Sequence, residues 1–352
     1  MNSVSVSAAE ESGANRVSET IRDDMRMFQR RVLTFLLGPL LLSVPWLPFG
    51  LLFGRHFLER AKGPTFETQI DNSFRNAVTQ EYDMLFLGNS RIYRGLNPDR
   101  FAVPAYNFGN NDDTYNHVYY KLNWLREQGV SFRYLVLGVD FFQFSYMSRH
   151  RNQAYSKYFG DEYLADYTPQ PWADLGLKIR LLIRGLNPKY MFMPNDGRTF
   201  QRDNGQYVKP GTASPTDTAI RSAKRLPVQV AYFEKVLDDC RRHNVQVFLC
   251  MLPVRTEDLN CYRKGETEEF MKFIRGYVRD SVALIDYTYD DNYNIADFTD
   301  ISHFNEAAAE RFSVELNAEL LTLMNNDNRQ KNGVVRTVSS TNSSDSDPNA
   351  RR

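Results

Sequence analysis

Asp83-Met84-Leu85-Phe86-Leu87-Gly88-Asn89-Ser90-Arg91 is a short apolar run that stops abruptly at a glycine and a serine. Four uninterrupted apolar residues followed by Gly-Asn-Ser fit a strand buried on both faces that gives way to a turn. A serine just past such a strand presents its hydroxyl at the carboxyl edge of a sheet. The N–H groups of a following helical turn then lie beside it, ready to hold an oxyanion. Far downstream, Asp300-Ile301-Ser302-His303 precedes a C-terminal helix pattern. A carboxylate and an imidazole three residues apart can pair, which leaves the other ring nitrogen free for a serine. Ser90, His303 and Asp300 therefore offer a nucleophile, a general base and an orienting carboxylate, the set needed for acyl transfer or ester hydrolysis. Each segment has an ordinary alternative. A serine after a strand often caps a helix, and an aspartate before a helix is favoured by the helix dipole. Their order in the chain is the stronger signal.

Between these segments, strand and helix patterns alternate. Strands are expected at 83–87, 134–139, 245–252 and 282–286. Helices are expected at 117–128, 216–243, 266–280 and 305–324, the last capped by Asn305. In the second expected helix Val230, Phe233, Val236 and Leu237 form the inner stripe. This β-α-β-α-β-α-β-α order predicts an α/β fold with a mostly parallel sheet and helices on both faces. Ligands bind such sheets at the carboxyl ends of strands, and Ser90, Asp140 and Pro253 all fall just past such ends. Residues 141–215 interrupt the alternation with a segment rich in Tyr, Phe, Asn, Arg and Pro. It reads either as a lid or platform over the site or as a peripheral decoration.

The chain has 352 residues, with 43 Lys+Arg against 43 Asp+Glu. That balance leaves no net field to attract nucleic acid, and no basic stripe interleaved with aromatics is present. Residues 32–53 carry no charge and are long enough to match the hydrocarbon thickness of a bilayer. We expect one transmembrane helix over 30–55. A cleaved signal peptide fits less well, because a long polar stretch precedes the run and no small-x-small site follows it. Arginines and a lysine flank both sides (Arg26, Arg30 and Arg31 before; Arg55, Arg60 and Lys62 after), so the positive-inside count nearly cancels. Residues 1–29 and 326–352 read as disordered tails and 80–325 as the working domain. Cys240, Cys250 and Cys261 have no metal-like spacing. Cys250 suits a core strand, and a Cys240–Cys261 bridge is conceivable in an oxidising compartment. Asp112 with Asp113, and Asp290 with Asp291, fit solvated loop residues better than metal ligands. No metal or cofactor is expected.

The layout resembles the SGNH hydrolase superfamily of GDSL-type esterases and acyltransferases, over about residues 80–325. Gly88-Asn89-Ser90 is similar to that family's first block, with Asn in place of Asp. Tyr106-Asn107-Phe108-Gly109-Asn110 resembles the second block, whose glycine N–H joins the oxyanion hole. Asp300 and His303 match the last block. The resemblance implies a flavodoxin-like three-layer α/β/α domain, a Ser90–His303–Asp300 triad, and an oxyanion hole built from the N–H groups of Ser90 and Gly109. At the third block the family places an asparagine, whereas this chain has Gly138-Val139-Asp140. An ionised carboxylate cannot donate to an oxyanion. Either Asp140 is protonated, or Asn110 or Asn111 supplies the donor, or the hole is weaker. Asp140 and Arg91 are expected to line the site, and Arg91 and Arg94 could meet an anionic polymer. His117, expected to begin a helix, could also face the site.

An anchor followed by such a domain looks like the membrane-tethered proteins of bacterial alginate acetylation and teichoic-acid D-alanylation. That likeness implies an envelope polysaccharide as acceptor and an acyl donor, with a multi-spanning membrane O-acyltransferase as partner. The catalytic domain would then lie on the periplasmic or extracellular side of the cell membrane. The alternative from a different class is a non-catalytic envelope assembly or glycan-binding factor on the same scaffold.

Overall fold

The computed structural model describes residues 5–148, 154–160, 162–163, 171–194, 199–213, 222–279 and 281–329; at 5–23, 39–40, 42–45, 171, 173–174, 177 and 326–329 only the backbone is described. The chain divides into two units. One comprises residues 1–61 with 176–194, the other 62–175 with 195–352.

The larger unit is built on five parallel strands: β1 (Met84–Leu87), β2 (Ala105–Asn107), β3 (Tyr134–Gly138), β6 (Gln246–Met251) and β7 (Val282–Asp286). They lie in the order β2-β1-β3-β6-β7, so the chain first winds outward from β1 to one edge and then from β3 to the other. The register runs straight across, pairing Leu85 with Leu135, Leu135 with Val247 and Val247 with Val282. Alternating strand residues feed two cores. Leu85, Leu87, Leu135, Leu137, Val247 and Leu249 face α2 (Phe66–Thr79), α4 (Tyr115–Glu127), α7 (Pro227–Arg242) and α9 (Glu266–Arg275). Met84, Phe86, Val136, Phe248 and Cys250 face α3 (Ser90–Gly95) and α10 (Glu306–Arg329). The result is a mixed α/β architecture with a parallel sheet between two helical layers, as the alternation predicts.

Several boundaries differ from expectation. The larger unit starts at Lys62 rather than at residue 80, because α2 buries Ile70, Phe74 and Ala77 in the first core. Strand β2 has only three residues after Pro104, too few to show a period of two. Helix α7 begins at Pro227, whose fixed φ suits a first helical position. Residues 222–226 before it are not helical, and 214–221 lie outside the described residues. In α7, Phe233 and Val236 are fully buried, with Val230 and Leu237 packed against the same core. Helix α9 ends at Arg275, five residues before the expected end. Asn305 does cap α10: its Oδ1 accepts from the Ala308 N–H at 3.0 Å.

Helix α1 (Ser5–Lys62) corrects the expected N-terminal tail, since helix extends back through Ala8, Ala9, Glu10 and Glu11, all good helix formers. Residues 326–329 complete α10, and 330–352 lie outside the described residues. The apolar run at 32–53 is helical throughout. Among the described residues no helix is long and apolar enough to cross a membrane, and side chains at 39–40 and 42–45, in the middle of that run, lie outside them.

The interrupting segment splits between the units. Helices α5 (Pro171–Gly185) and α6 (Lys189–Phe192) place residues 176–194 with α1 in the smaller unit. Tyr155, Phe159 and Tyr163 join the first core, and a short hairpin of β4 (Phe200–Gln201) and β5 (Tyr207–Val208) packs beside β2, where the Asn107 N–H donates to the Asn204 carbonyl at 2.9 Å. Helix α8 (Thr256–Leu259) follows β6. The cysteines are three separate buried thiols, which corrects the conceivable Cys240–Cys261 bridge; burial pushes the Cys240 thiol up to about 12.

Asp113, expected in a solvated loop, is instead a fully buried ion-pair partner. Its carboxylate accepts from Lys121 Nζ and from the Tyr155 hydroxyl, both at 2.6 Å, while Lys121 also donates to the Phe108 carbonyl at 2.6 Å. Removing one partner strands a buried charge. Lys121→Met is expected to lower stability by roughly 3–5 kcal/mol, read as an earlier chemical-denaturation midpoint.

Candidate active site

Gly88 turns the chain at the end of β1. Its φ is +152°, and a Cβ there would lie 2.7 Å from Ile92 Cγ1 and 3.2 Å from the Gly138 Cα, so only glycine fits between α3 and β3. Asn89 follows as the N-cap of α3, its side chain accepting from the Arg91 N–H at 2.9 Å. Ser90 is then the first residue of the helix. Its N–H has no intrahelical acceptor by virtue of that position.

Ser90 Oγ lies 2.7 Å from His303 Nε2, and His303 Nδ1 lies 2.7 Å and 2.9 Å from the two Asp300 oxygens. The three residues expected to act together are thus joined by one continuous chain of hydrogen bonds. Asp300 Oδ1 also accepts from the N–H groups of Ser302 at 3.0 Å and His303 at 3.1 Å. The loop is tied further by Thr299 N–H to the His303 carbonyl at 2.8 Å, and by buried Arg255, whose guanidinium donates to the Asp300 carbonyl at 3.2 Å.

Electrostatics suit a base. Burial opposes the Asp300 charge, but hydrogen bonding to His303, the Ser302 N–H and the nearby Arg94 outweigh it and hold the carboxyl well below its usual range. Burial also disfavours the imidazolium of His303. Asp300 acts against that effect and Arg94 adds to it, and the net result is a pKa below the ordinary 6.5. At neutral pH the ring is therefore uncharged. With Asp300 ionised, Nδ1 carries the proton and Nε2 can accept one from Ser90.

The structure resolves what Asp140 does at the position where an amide donor was expected. Its Oδ2 accepts from Asn89 Nδ2 at 2.7 Å and its Oδ1 from Arg91 Nη1 at 2.7 Å. Arg91 continues to the carbonyls of Leu252 at 3.0 Å and Pro253 at 2.6 Å. Both side chains are almost wholly buried. Arg91 is therefore not a surface contact for an anionic polymer, and Asp140 is not an oxyanion group. Together they clamp the residues on either side of the serine.

The expected glycine donor is also corrected. The Gly109 N–H donates to Asn107 Oδ1 at 3.1 Å, while Asn107 Nδ2 donates to the carbonyls of Ile92 and Leu96 at the end of α3, both at 2.9 Å. The neighbouring Asn110 is fully buried, with its N–H on the Gly88 carbonyl at 3.3 Å and its Oδ1 accepting from Asn111 N–H at 2.7 Å. Its Nδ2 is a buried donor without a hydrogen-bond partner among the described residues. A buried amide left open beside the serine turn is the natural candidate for a missing acceptor. His117 does not face the site: it is buried, and its Nδ1 accepts from the Thr114 N–H at 3.1 Å in a capping box.

Arg94 has a larger part than its sequence position suggests. It lies 3.7 Å from Asp300 Oδ2, donates to Asn111 Oδ1 at 2.9 Å and sits over the Tyr207 ring at 5.8 Å. Gln206 Nε2 donates to its carbonyl at 3.2 Å. The β4–β5 hairpin thus borders the site through Arg94. Neither Tyr207 nor Arg255 carries a sequence signal for such a place, since each reaches the site only through the fold.

No family model matches this chain. No curated protein matches it either. Among solved structures, a chain from Streptococcus pneumonia described provisionally as a platelet activating factor is similar at 11% identity, covering 72% of this chain and 90% of that one with a TM-score of 0.34. A likeness that loose says nothing about the chemistry of the site.

Two outcomes follow from this geometry. Arg94→Gln removes a positive charge that disfavours the imidazolium, so the His303 pKa is expected to rise from its lowered position, read by imidazole NMR titration. A titration unchanged by the substitution would remove Arg94 from the account. Asp140→Ala leaves the Arg91 guanidinium buried without its carboxylate and is expected to cost about 3–5 kcal/mol in chemical denaturation.

Proposed function

We propose that this chain is a membrane-anchored O-acyltransferase or esterase of the SGNH type, working through Ser90, His303 and Asp300 on a cell-envelope polysaccharide. The observation that carries the proposal is the 2.7 Å contact between Ser90 Oγ and His303 Nε2, continued at 2.7 Å to Asp300. The strand order β2-β1-β3-β6-β7 is that of flavodoxin-like sheets, in which ligands sit where the winding reverses, beside β1 and β3. Ser90 follows β1 directly.

In this reading Ser90 Oγ attacks the acyl carbonyl of a donor while His303 Nε2 takes its proton. The tetrahedral oxyanion is held by the Ser90 N–H at the start of α3. Collapse expels the leaving group, which receives the proton from the imidazolium, and leaves an acyl ester on Ser90. A sugar hydroxyl or water then attacks that ester, with His303 again as base and Asp300 holding the tautomer. The charge-free run at 32–53 anchors the chain, with the catalytic domain on the periplasmic or extracellular side. A multi-spanning membrane O-acyltransferase is the partner that would deliver the acyl group. The reaction calls for no cofactor.

A second reading, a non-catalytic envelope assembly or glycan-binding factor, draws on the occupied Gly109 N–H and on Asp140 standing where an amide donor was expected. A fluorophosphonate probe separates the two, because it phosphonylates only an activated serine. The wild-type chain is expected to label at Ser90, Ser90→Ala not at all, and His303→Ala more slowly by about 10²–10⁴-fold. Undiminished labelling of Ser90→Ala would sink the proposal, and an unlabelled but folded wild type would leave the binding factor standing.

A further inference from the structure

We propose that helices α5 and α6, from the segment that interrupts the α/β alternation, form a second membrane-seated element lying in the headgroup layer against α1. The inference rests on the anchor role of α1 proposed above.

In α1 the exposed Leu33, Phe35, Leu36, Leu37, Leu41, Leu47 and Leu52 point around the whole circumference. A helix that is apolar on every side suits a lipid solvent better than a one-sided protein groove. The second element joins α1 where the charge-free run ends. A Cβ on Gly54 would overlap the Gly185 carbonyl, and a Cβ on Gly185 would lie 2.9 Å from the Gly54 carbonyl carbon. The backbones meet there because neither position has a side chain, as at small-residue crossings within membranes. Trp46 Nε1 donates to the Leu186 carbonyl at 2.7 Å, and Arg60 Nη2 donates to the Met191 carbonyl at 2.7 Å. Arg55 follows Gly54 directly, so the contact lies at the depth where apolar residues give way to charged ones. Arg55 and Arg60 suit that level of a bilayer, whereas Trp46 lies eight residues before Gly54 in α1, about 12 Å deeper at 1.5 Å per residue.

Helix α5 has 15 residues, a length of about 22 Å at 1.5 Å per residue, which is too short to cross a hydrocarbon core of about 30 Å. It does carry an apolar face. Ile179, Leu182 and Ile183, spaced for one side of a helix, are 44%, 41% and 61% exposed, and Phe192 of α6 is 78% exposed. Arg180 and Arg184 occupy the adjacent side, also exposed. An apolar face bordered by arginines is the pattern of a helix lying in the plane of the interface, its basic side chains toward anionic headgroups. The smaller unit would then hold the bilayer through two elements, one along its normal and one in its plane.

The test uses the full chain reconstituted into phosphatidylcholine–phosphatidylglycerol vesicles. An environment-sensitive fluorophore is placed on Ile183→Cys, on Ile179→Cys as a second position, on Arg184→Cys, and on Leu41→Cys as the anchor control. The wild type, whose cysteines are buried, serves as background. Nitroxide-labelled lipid is expected to quench most of the emission at 183, 179 and 41, and aqueous iodide most of that at 184. Lipid quenching at 41 with iodide quenching at 183 and 179 would overturn the inference while leaving the anchor intact, and would turn that face toward a protein partner. Iodide quenching at 41 as well would remove the anchor proposal and this inference together.

Discussion

The position of the serine depends on one buried carboxylate. Asp140, at the end of β3, accepts from Asn89 and Arg91, and Arg91 reaches on to the carbonyls of Leu252 and Pro253 after β6. Three strand ends are thereby tied into one rigid cluster around Ser90. Burying this ion pair is tolerable because both Asp140 oxygens and both terminal nitrogens of Arg91 are engaged, which leaves Nε as the one guanidinium nitrogen without a partner among the described residues. The clamp explains how a short helical turn after a four-residue strand can hold a side chain in one place. It also explains why an acidic residue can stand at this position: its charge is neutralised within the cluster instead of facing a developing oxyanion.

The other half of the site is held by local chemistry. Asp300 and His303 lie in a tight loop closed by the Thr299 N–H and the Arg255 guanidinium, with Arg94 beside the carboxylate. Arg94 acts on both partners in useful directions. It favours the Asp300 anion and disfavours the His303 cation, which keeps the imidazole neutral and available to the serine. A single cation set near both groups therefore supports the ionisation state that proton abstraction requires.

Sequence periodicity was a good guide wherever a segment was long and buried on a definite side. Strands β1, β3, β6 and β7 and helices α4, α9 and α10 stand close to their expected places, because continuous apolar runs and helical stripes encode burial directly. The failures have physical causes. Strand β2 is too short to show a period. Asp113 and His117 read as loop or site residues, because nothing local reveals the buried Lys121 and Tyr155 partners or the Thr114 cap. The Gly109 N–H, an oxyanion donor only by family resemblance, donates instead to a side chain two residues away whose direction the sequence does not encode.

By itself the sequence determined the α/β alternation, the serine at the end of the first strand, and the Asp300–His303 pair, since each is written in neighbouring residues through burial period or i, i+3 spacing. Tertiary packing brings Ser90 and His303, 213 residues apart, together at 2.7 Å, turns Arg91 inward to Asp140, occupies the Gly109 N–H and leaves Asn110 Nδ2 without a partner among the described residues. The reason is that hydrogen-bond partners of this kind are chosen by proximity in space. Proximity between distant segments comes from the packing of strands and helices and leaves no trace in the local pattern of either segment.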